Sequence, residues 1–294
     1  MEPLRAVADW PVDHVAAAAL TPAGVHTEGD VDRPFALASV TKLLTATAVL
    51  VAVEEEIVDL DEPAGPPGAT VRHLLAHASG LGPDGDQVLA APGATRIYSN
   101  RGYELLGELV ADRAGLSFAT YLDEAVLAPL GMAATALEGS PAHGARSTVG
   151  DLLRFAGAWL GADPVVIHHS TRDAAAEVAF PGLHGVLPGF GRQDPNDWGL
   201  GPELRGDKRP HWTGTRCSAR TFGHFGRAGT FLWVDPDADV ALLALTDREF
   251  GPWAASAWPA LADAVLDTIT RGDGQLPRPA ADGDPVVWNR EPRP

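Results

Sequence analysis

The sequence is poor in positive charge, in cysteine and in long apolar segments. Its 294 residues hold 22 lysines and arginines against 39 acidic residues, a formal net charge of −17. Nucleic-acid binding needs a basic surface, so this composition argues against that class of function. Cys217 is the only cysteine, which excludes an intramolecular disulfide, and we interpret it as a small buried residue. No run of roughly eighteen apolar residues occurs, so we predict no membrane-spanning helix.

The first residues also lack the pattern of a secretory signal. A basic start followed by an apolar core is missing from the opening stretch of residues 1–10. The expected location is therefore the cytoplasm, with a leader removed before Met1 as the alternative.

Apolar periodicity and turn residues divide the rest of the chain into strands and helices. We predict strands at 12–20, 25–28, 198–200, 221–225, 230–234 and 240–246. We predict helices from Ser39 to about Val53 and at 71–78, 101–114, 118–127, 147–160 and 253–270, with Ser147 as a cap. Residues 161–197 are expected to be irregular.

Strands at both ends with helices between them predict an α+β fold in which one antiparallel sheet is built from both termini. With 45% hydrophobic residues, the chain can bury a large core. We expect a single domain at 1–275, with a sheet lobe at about 1–60 and 198–271 and a helical lobe at about 61–197. Residues 272–294 are expected to form a proline-rich tail.

The most informative local pattern is Ser39-Val40-Thr41-Lys42 at the start of a predicted helix. Residues three apart share one helix face, so the serine hydroxyl is expected beside the lysine amine. Serine needs a neighbouring base to become a good nucleophile, and a buried lysine can be that base because burial disfavours its charged form. Lys42 and Lys208 are the only lysines, so the pattern does not arise from a lysine-rich composition. Taken alone, S-x-x-K is a weak pattern, because a serine near a helix start is usually only a cap.

Two further short motifs could supply partners to this serine. Tyr98-Ser99-Asn100 precedes a predicted helix, where the phenol can pass a proton and the amide can hold a carbonyl or the lysine. His224-Phe225-Gly226 ends a predicted strand, where glycine allows a ligand to lie close to backbone N–H groups.

In the order S-x-x-K, Y-x-N, H-x-G, the three motifs resemble the serine β-lactamase and penicillin-binding-protein superfamily. Tyrosine in the second motif and histidine in the third are most similar to the branch of class C β-lactamases, D-alanyl-D-alanine carboxypeptidases and family VIII esterases. The stretches 72–81, 98–107, 127–132 and 147–152 are similar to the same branch. The resemblance covers roughly residues 12–270 and implies a β-lactamase/transpeptidase-like fold.

The resemblance also implies a role for each motif residue. Ser39 would be the acylated nucleophile, Lys42 the amine that accepts its proton, and Tyr98 a proton relay to the leaving group. Asn100 would bind the substrate or Lys42. His224 would stand where the family often has lysine. Gly226 completes the third motif, and the backbone N–H groups of Ser39 and Arg227 would form the oxyanion hole.

The chain departs from the family pattern in its third motif. Phe225 stands where a hydroxyl residue usually helps to bind a substrate carboxylate, and His224 is not a permanent cation. We therefore expect a serine hydrolase that acts through an acyl-enzyme on a small ester or amide. A β-lactamase or D-alanyl-D-alanine carboxypeptidase acting on a lactam or peptide is the alternative, and a non-catalytic binding module is an alternative of another class.

Other residues that could bind a metal or line a site have simpler explanations. His73 and His77 have the i, i+4 spacing of zinc ligands, but no glutamate follows His73, and the resemblance implies a structural role for them. We predict neither a metal nor a cofactor. Among the tryptophans, Trp198 and Trp212 are expected near the cleft. The number of subunits is left open.

Overall fold

The computed structural model describes residues 1–162 and 164–271. The strands are β1 Val15–Thr21, β2 Gly24–Gly29, β3 Phe35–Ala36, β4 Ala136–Leu137, β5 Ala145–Ser147, β6 Gly185–Leu187, β7 Gly191–Gln193, β8 Glu203–Leu204, β9 Phe222–Gly226, β10 Thr230–Asp235 and β11 Val240–Thr246. The α-helices are α1 Thr41–Glu54, α2 Val71–Leu75, α3 Asn100–Ala114, α4 Phe118–Leu122, α5 Val149–Trp159, α6 His169–Ala175 and α7 Pro252–Thr270. The tail predicted at 272–294 lies outside the described residues.

The main sheet of the described residues has six antiparallel strands in the order β2-β1-β11-β10-β9-β8. Strand β1 pairs with β11 from Val15 opposite Thr246 to Leu20 opposite Ala241. This pairing confirms that the sheet is built from both ends of the chain. A small sheet of β3, β5 and β4 and a hairpin of β6 and β7 complete the strands.

Helices cover both faces of the main sheet. Alternate residues of β1 point to opposite faces, and they belong to two separate buried clusters: Ala16 and Ala18 on one side, Ala17 and Ala19 on the other. Helix α7 packs with the short 3-10 helix Glu2–Asp9, and helix α5 packs on β1 and β11. Since both faces are buried, β1 and β11 read as nearly continuous apolar runs.

Helix α1 is the central helix of the larger cluster. Every residue from Thr41 to Ala52 is buried, so the helix is enclosed around its whole circumference, and most of its residues are apolar, as expected for such a helix. It contacts α3, α4 and the π-helical turn Asp123–Leu127. Lys42 is therefore buried in the middle of the protein.

The structure contradicts several predictions of local structure, including the end of the helix predicted at 71–78, which stops at Leu75. The strand predicted at 198–200 is reduced to a bridge between Trp198 and Glu203, because the glycine-rich segment after Trp198 turns back through a Gly199 N–H to Pro202 carbonyl bond of 2.9 Å. The helix predicted at 147–160 is capped by Thr148, whose hydroxyl accepts from Asp151 N–H, while Ser147 ends β5.

The segment predicted to be irregular contains α6 and the β6–β7 hairpin. The imidazole of His168 caps α6 by accepting the Ser170 N–H at 3.3 Å, and Gly189 turns the hairpin with φ of 79°. The division into lobes stays a prediction; helix α5, in the stretch assigned to the helical lobe, packs on the sheet.

Candidate active site

Ser39 and Lys42 lie one helical turn apart at the start of α1. Ser39 is in the short 3-10 helix Ala38–Val40, and α1 begins two residues later. Lys42 Nζ is 3.5 Å from Ser39 Oγ. Ala38, immediately before the serine, has the left-handed φ of 45°, so the chain turns sharply where it delivers the hydroxyl.

Lys42 is fully buried and held by two further acceptors. Nζ donates to Asn100 Oδ1 at 2.7 Å and to the Ala142 carbonyl at 2.9 Å. It also lies over the Tyr98 ring at 4.6 Å. Burial lowers the pKa of Lys42 to about 7, although nearby carboxylates oppose the shift. A neutral amine has two N–H groups, which these two acceptors occupy, and one lone pair, which is left for the serine hydroxyl.

Tyr98 also contacts the serine hydroxyl. Its hydroxyl donates to Ser39 Oγ at 2.6 Å. Loss of solvent around the phenol raises the pKa of Tyr98 above its ordinary value, while the bond to Ser39 opposes that shift. The phenol is therefore protonated at neutral pH and acts as a proton donor.

The second motif is fixed by the cap of α3. Ser99 accepts the Gly102 N–H at 3.1 Å and donates to the Gly82 carbonyl at 2.7 Å. Asn100, the first residue of the helix, holds Lys42 through its amide oxygen and donates its amide N–H to Asp84 Oδ1 at 2.9 Å. Those two bonds fix which end of the amide faces the lysine.

The third motif lies at the end of β9. His224 is buried, and its Nδ1–H donates to the Phe225 carbonyl at 2.7 Å. Burial, with Lys42 nearby, lowers the pKa of His224 to about 3, so the ring is neutral. A side chain on Gly226 would meet the Leu37 carbonyl at 2.3 Å, because this end of β9 lies against the turn that carries Ser39.

These groups open into one cavity of about 290 Å³. Its polar wall includes Ser39, Tyr98 and Asn100. Its apolar wall is formed by Leu187, Pro188, Trp198, Phe225 and Phe250. A small cavity with apolar walls and a few convergent polar groups is typical of a site for small molecules.

The remaining predicted residues lie around this cavity. Arg227 is at the rim, where its side chain is 82% exposed and lies 3.5 Å from Glu249. Trp198 lines the cavity, whereas Trp212 is buried behind Phe225 at a ring distance of 5.6 Å. The structure thus brings together the side chains of Ser39, Lys42, Tyr98 and Asn100, with those of His224 and Arg227 bordering the same space.

Sequence reasoning missed a buried charged network behind the cavity. The Glu203 carboxylate accepts from Lys208 Nζ, from His211 Nε2 at 2.9 Å and from Trp212 Nε1 at 2.9 Å. Its cationic and hydrogen-bonding partners hold the pKa of Glu203 at about 2 despite burial. The scarcity of lysine is the one sequence signal that could have drawn attention to Lys208.

His73 and His77 lie apart from any metal-like arrangement. His73 Nδ1 is 2.9 Å from Thr70 Oγ1, and His77 is buried among aromatic rings. Within residues 1–162 and 164–271 no group of three histidine, cysteine or acidic side chains could hold a metal ion. The absence of a cofactor stays a prediction.

This fold, with a serine, a buried lysine and a tyrosine at its cleft, defines a serine hydrolase of the β-lactamase and penicillin-binding-protein class. The sequence model of the Beta-lactamase family matches residues 14–266. The chain therefore belongs to the β-lactamase family, whose members act on small esters, amides or lactams. The predicted family and fold class are confirmed.

Two solved structures illustrate the likeness. A beta-lactamase from Mycobacterium bovis is 55% identical, with a TM-score of 0.88 over 93% of this chain and all of the other. Simvastatin synthase (LovD) from Aspergillus terreus is 20% identical, with a TM-score of 0.74 over 92% of this chain and 100% of that chain, which shows a common fold alone.

A curated relative matches over a shorter region. It is D-alanyl-D-alanine-carboxypeptidase/endopeptidase AmpH of Escherichia coli (strain K12), which is 26% identical over 155 residues. The match covers 40% of this chain and 40% of that protein.

In the part of the chain that the structure describes, no helix is long and apolar enough to cross a membrane.

Proposed function

We propose that the protein hydrolyses small neutral esters or amides through an acyl-enzyme on Ser39. The observation that carries this proposal is the position of Ser39 Oγ, 2.6 Å from the Tyr98 hydroxyl and 3.5 Å from Lys42 Nζ. A base and a proton donor within reach of one hydroxyl are what acyl transfer requires.

The reaction begins with transfer of the Ser39 proton to Lys42 as Oγ attacks the substrate carbonyl. The backbone N–H groups of Ser39 and Arg227 stabilise the oxyanion. Tyr98 passes its proton to the departing oxygen or nitrogen and recovers one from the Lys42 ammonium. The leaving group departs as an alcohol or amine, and the acyl group stays on Ser39. Water then cleaves this ester and restores the serine hydroxyl.

Asn100 and Gly226 support these steps by positioning other groups of the site. Asn100 keeps one N–H of Lys42 engaged, so that the lone pair of the neutral amine faces Ser39. Gly226 allows the end of β9, and with it the backbone of Arg227, to approach the turn before Ser39.

The cavity favours neutral substrates. His224 carries no charge near neutral pH, Phe225 offers no hydroxyl, and the walls beside Ser39 are apolar. A carboxylate in this space would lose hydration without gaining a cation, which is unfavourable. Arg227 opposes this preference for neutral substrates, because its exposed side chain could reach an anionic group at the rim.

β-Lactam or D-alanyl-peptide hydrolysis is the second candidate. The 55% identical relative is described as a beta-lactamase, and the shorter match is a D-alanyl-D-alanine carboxypeptidase. The departures at His224 and Phe225 are the reason for placing this activity second.

Covalent labelling tests the nucleophile. We expect a fluorophosphonate probe to add its mass to Ser39 in the wild type and to leave Ser39→Ala unlabelled with its circular dichroism unchanged. Ser170→Ala, at an exposed serine on α6, is the matched control and should label like the wild type. Label on another residue would refute the assignment, and no label on folded protein would favour a binding module.

A pair of substrates tests the substrate class. We expect kcat/KM for a short-chain p-nitrophenyl ester to exceed that for nitrocefin, and Phe225→Thr to shift the ratio towards nitrocefin. If nitrocefin is the better wild-type substrate, the second candidate is correct. A ratio that Phe225→Thr leaves unchanged would show that the third motif does not select the substrate.

A further inference from the structure

His77 occupies a strained and costly position close to the candidate site. It is 1% exposed, and its φ of 54° lies in the left-handed region that residues other than glycine seldom adopt. Such strain persists where the surrounding structure requires it, and it is concentrated at functional sites. The proposed mechanism gives this histidine no role.

The contacts of His77 enclose Tyr98 on both sides along the chain. The His77 carbonyl accepts the Ile97 N–H at 2.9 Å, and its imidazole Nδ1 accepts the Ser99 N–H at 3.1 Å. The imidazole ring also packs on the Tyr98 ring, with a centroid distance of 4.6 Å. One residue therefore fixes the backbone before and after the tyrosine and one face of its ring.

These bonds determine which form of the imidazole is present. Because Nδ1 accepts a hydrogen bond, the proton is on Nε2. Burial, with Lys42 nearby, holds the pKa of His77 well below its ordinary value, so the ring is neutral. Nε2 is buried, without a hydrogen-bond partner among the described residues, and the Trp198 ring lies perpendicular at 4.7 Å.

Packing alone does not account for an imidazole here. An apolar side chain would fill the space between Tyr98 and Trp198 without burying an unpaired N–H, which is unfavourable. What an apolar side chain cannot supply is the acceptor for the Ser99 N–H. Ser99 is the residue that caps α3, and Asn100 is the first residue of that helix, so this bond fixes the start of α3.

We propose that His77 is a positioning residue that holds the Tyr98 hydroxyl against Ser39 by fixing the backbone on both sides of the tyrosine. The inference rests on the role proposed for Tyr98 in the hydrolysis. Its physical basis is that a displacement of about 1 Å in a catalytic group can cost roughly a hundredfold in rate. His77 acts through Tyr98 and does not touch the substrate.

Two variants of similar shape separate the acceptor from the packing. In His77→Asn the amide oxygen can take the place of Nδ1, and asparagine tolerates left-handed backbone. His77→Leu has the same branching without an acceptor. We expect kcat on a p-nitrophenyl ester to fall at least about tenfold in His77→Leu with KM little changed, and His77→Asn to retain at least about a third of the wild-type kcat.

A double-mutant cycle with Tyr98→Phe shows whether the effect passes through the tyrosine. In that background we expect His77→Leu to cause no further loss, since the hydroxyl it positions is gone; coupled sites are non-additive in this way. If His77→Leu does not fold, His77→Gln replaces it, because the longer amide moves the acceptor away from the Nδ1 position.

Three results would overturn the proposal. They are equal losses in His77→Asn and His77→Leu, losses that multiply in the cycle, and full activity of Tyr98→Phe. Fluorophosphonate labelling of Ser39 is measured in the same variants. Label on Ser39 together with any of these three results would refute the role of His77 while leaving the acyl-enzyme on Ser39 intact.

Discussion

At the scale of single residues, the protonation state of Lys42 is expected to determine when the proposed reaction can begin. Its amine is buried, and its two hydrogen-bond acceptors leave a lone pair for Ser39 when it is neutral. Since burial brings the pKa of Lys42 to about 7, the neutral form is well populated near neutral pH. The proposed base therefore needs no second charged group to activate it.

The first prediction concerns the pH dependence of acylation. Because Lys42 must be neutral, kcat/KM on a neutral ester should rise with pH through about 7 and then level off. We expect Lys42→Arg to lose roughly a hundredfold or more, since a guanidinium stays charged. Burst kinetics on a p-nitrophenyl ester between pH 5.5 and 9 measure both effects. A flat profile, or retention of more than about a tenth of the acylation rate in Lys42→Arg, would identify another base.

The same pKa shift affects stability. The folded-state pKa of Lys42 is below that of the unfolded chain, so between about 7 and 10.5 the unfolded chain binds more protons. The contribution of Lys42 to the free energy of unfolding should therefore increase as the pH rises through this window. Lys42→Met should remove that contribution, which urea denaturation at pH 7 and pH 9 can measure.

At the scale of elements, the contact between β9 and the turn before Ser39 brings the first and third motifs together. A side chain on Gly226 would lie 2.3 Å from the Leu37 carbonyl and 2.5 Å from Thr230 Oγ1, and Thr230 itself donates to Leu37 at 2.8 Å. The glycine is required here by the closeness of two backbones. The pairing of β9 with β10 fixes where the end of β9 lies, and Gly226 is at that end.

The second prediction follows from this contact. Gly226→Ala should displace β9 from the Ser39 turn, reduce hydrolysis at least tenfold and cost about 1–3 kcal/mol in the free energy of unfolding, as overpacking usually does. Gly150→Ala is the matched control, because its nearest neighbour would be at 3.6 Å and it lies within helix α5. Ester hydrolysis and thermal melting of both variants provide the test, and equal behaviour would refute it.

At the scale of the whole molecule, the network around Glu203 joins β8 to the loop that follows it and supports the back of the cavity. Glu203 lines the cavity, Lys208 also donates to the Asp197 carbonyl at 2.7 Å, and His211 Nδ1 bonds within its own loop to Thr213. Each charged atom has a partner, so the network is stable while it remains complete. Removal of one member leaves a buried charge without compensation.

The third prediction is a large loss of stability on breaking this network. Glu203→Gln should cost roughly 3–5 kcal/mol in the free energy of unfolding, because Lys208 loses its buried counter-ion. Glu203→Gln combined with Lys208→Met should recover part of the loss. Urea denaturation of the single and double variants at pH 7 measures both, and an additive double loss would contradict the explanation.

The network also predicts acid sensitivity. The pKa of Glu203 is lowered from 4.5 to about 2 in the folded state, so the unfolded chain takes up a proton first as the pH falls. The stability from this carboxylate is complete above about pH 4.5 and is lost as the pH falls towards 2. Glu203→Gln should flatten that part of the stability curve.

Features that depend on near neighbours along the chain could be predicted from the amino-acid sequence alone. The spacing of Ser39 and Lys42 predicts their closeness, because one turn of helix brings them together. Continuous apolar segments on either side of the turn at 235–239 predict β10 and β11, whose observed bounds agree with the prediction at 240–246 and differ by one residue at the end of β10. The order of the three motifs was sufficient to indicate the family.

The chemical state of these residues depends on contacts that form only when the chain folds. The two acceptors that hold Lys42 lie 58 and 100 residues along the chain, and the bond from His77 to Ser99 spans 22 residues. The strand predicted at 198–200 was wrong because the segment turns back at Gly199, and in the folded chain the Trp198 ring packs against His77 and His224. A pKa is set by burial and by the groups that surround a side chain in space. The motifs indicate a buried lysine near Asn100, but the extent of its burial, its lowered pKa and the Glu203 network are visible only in the folded chain.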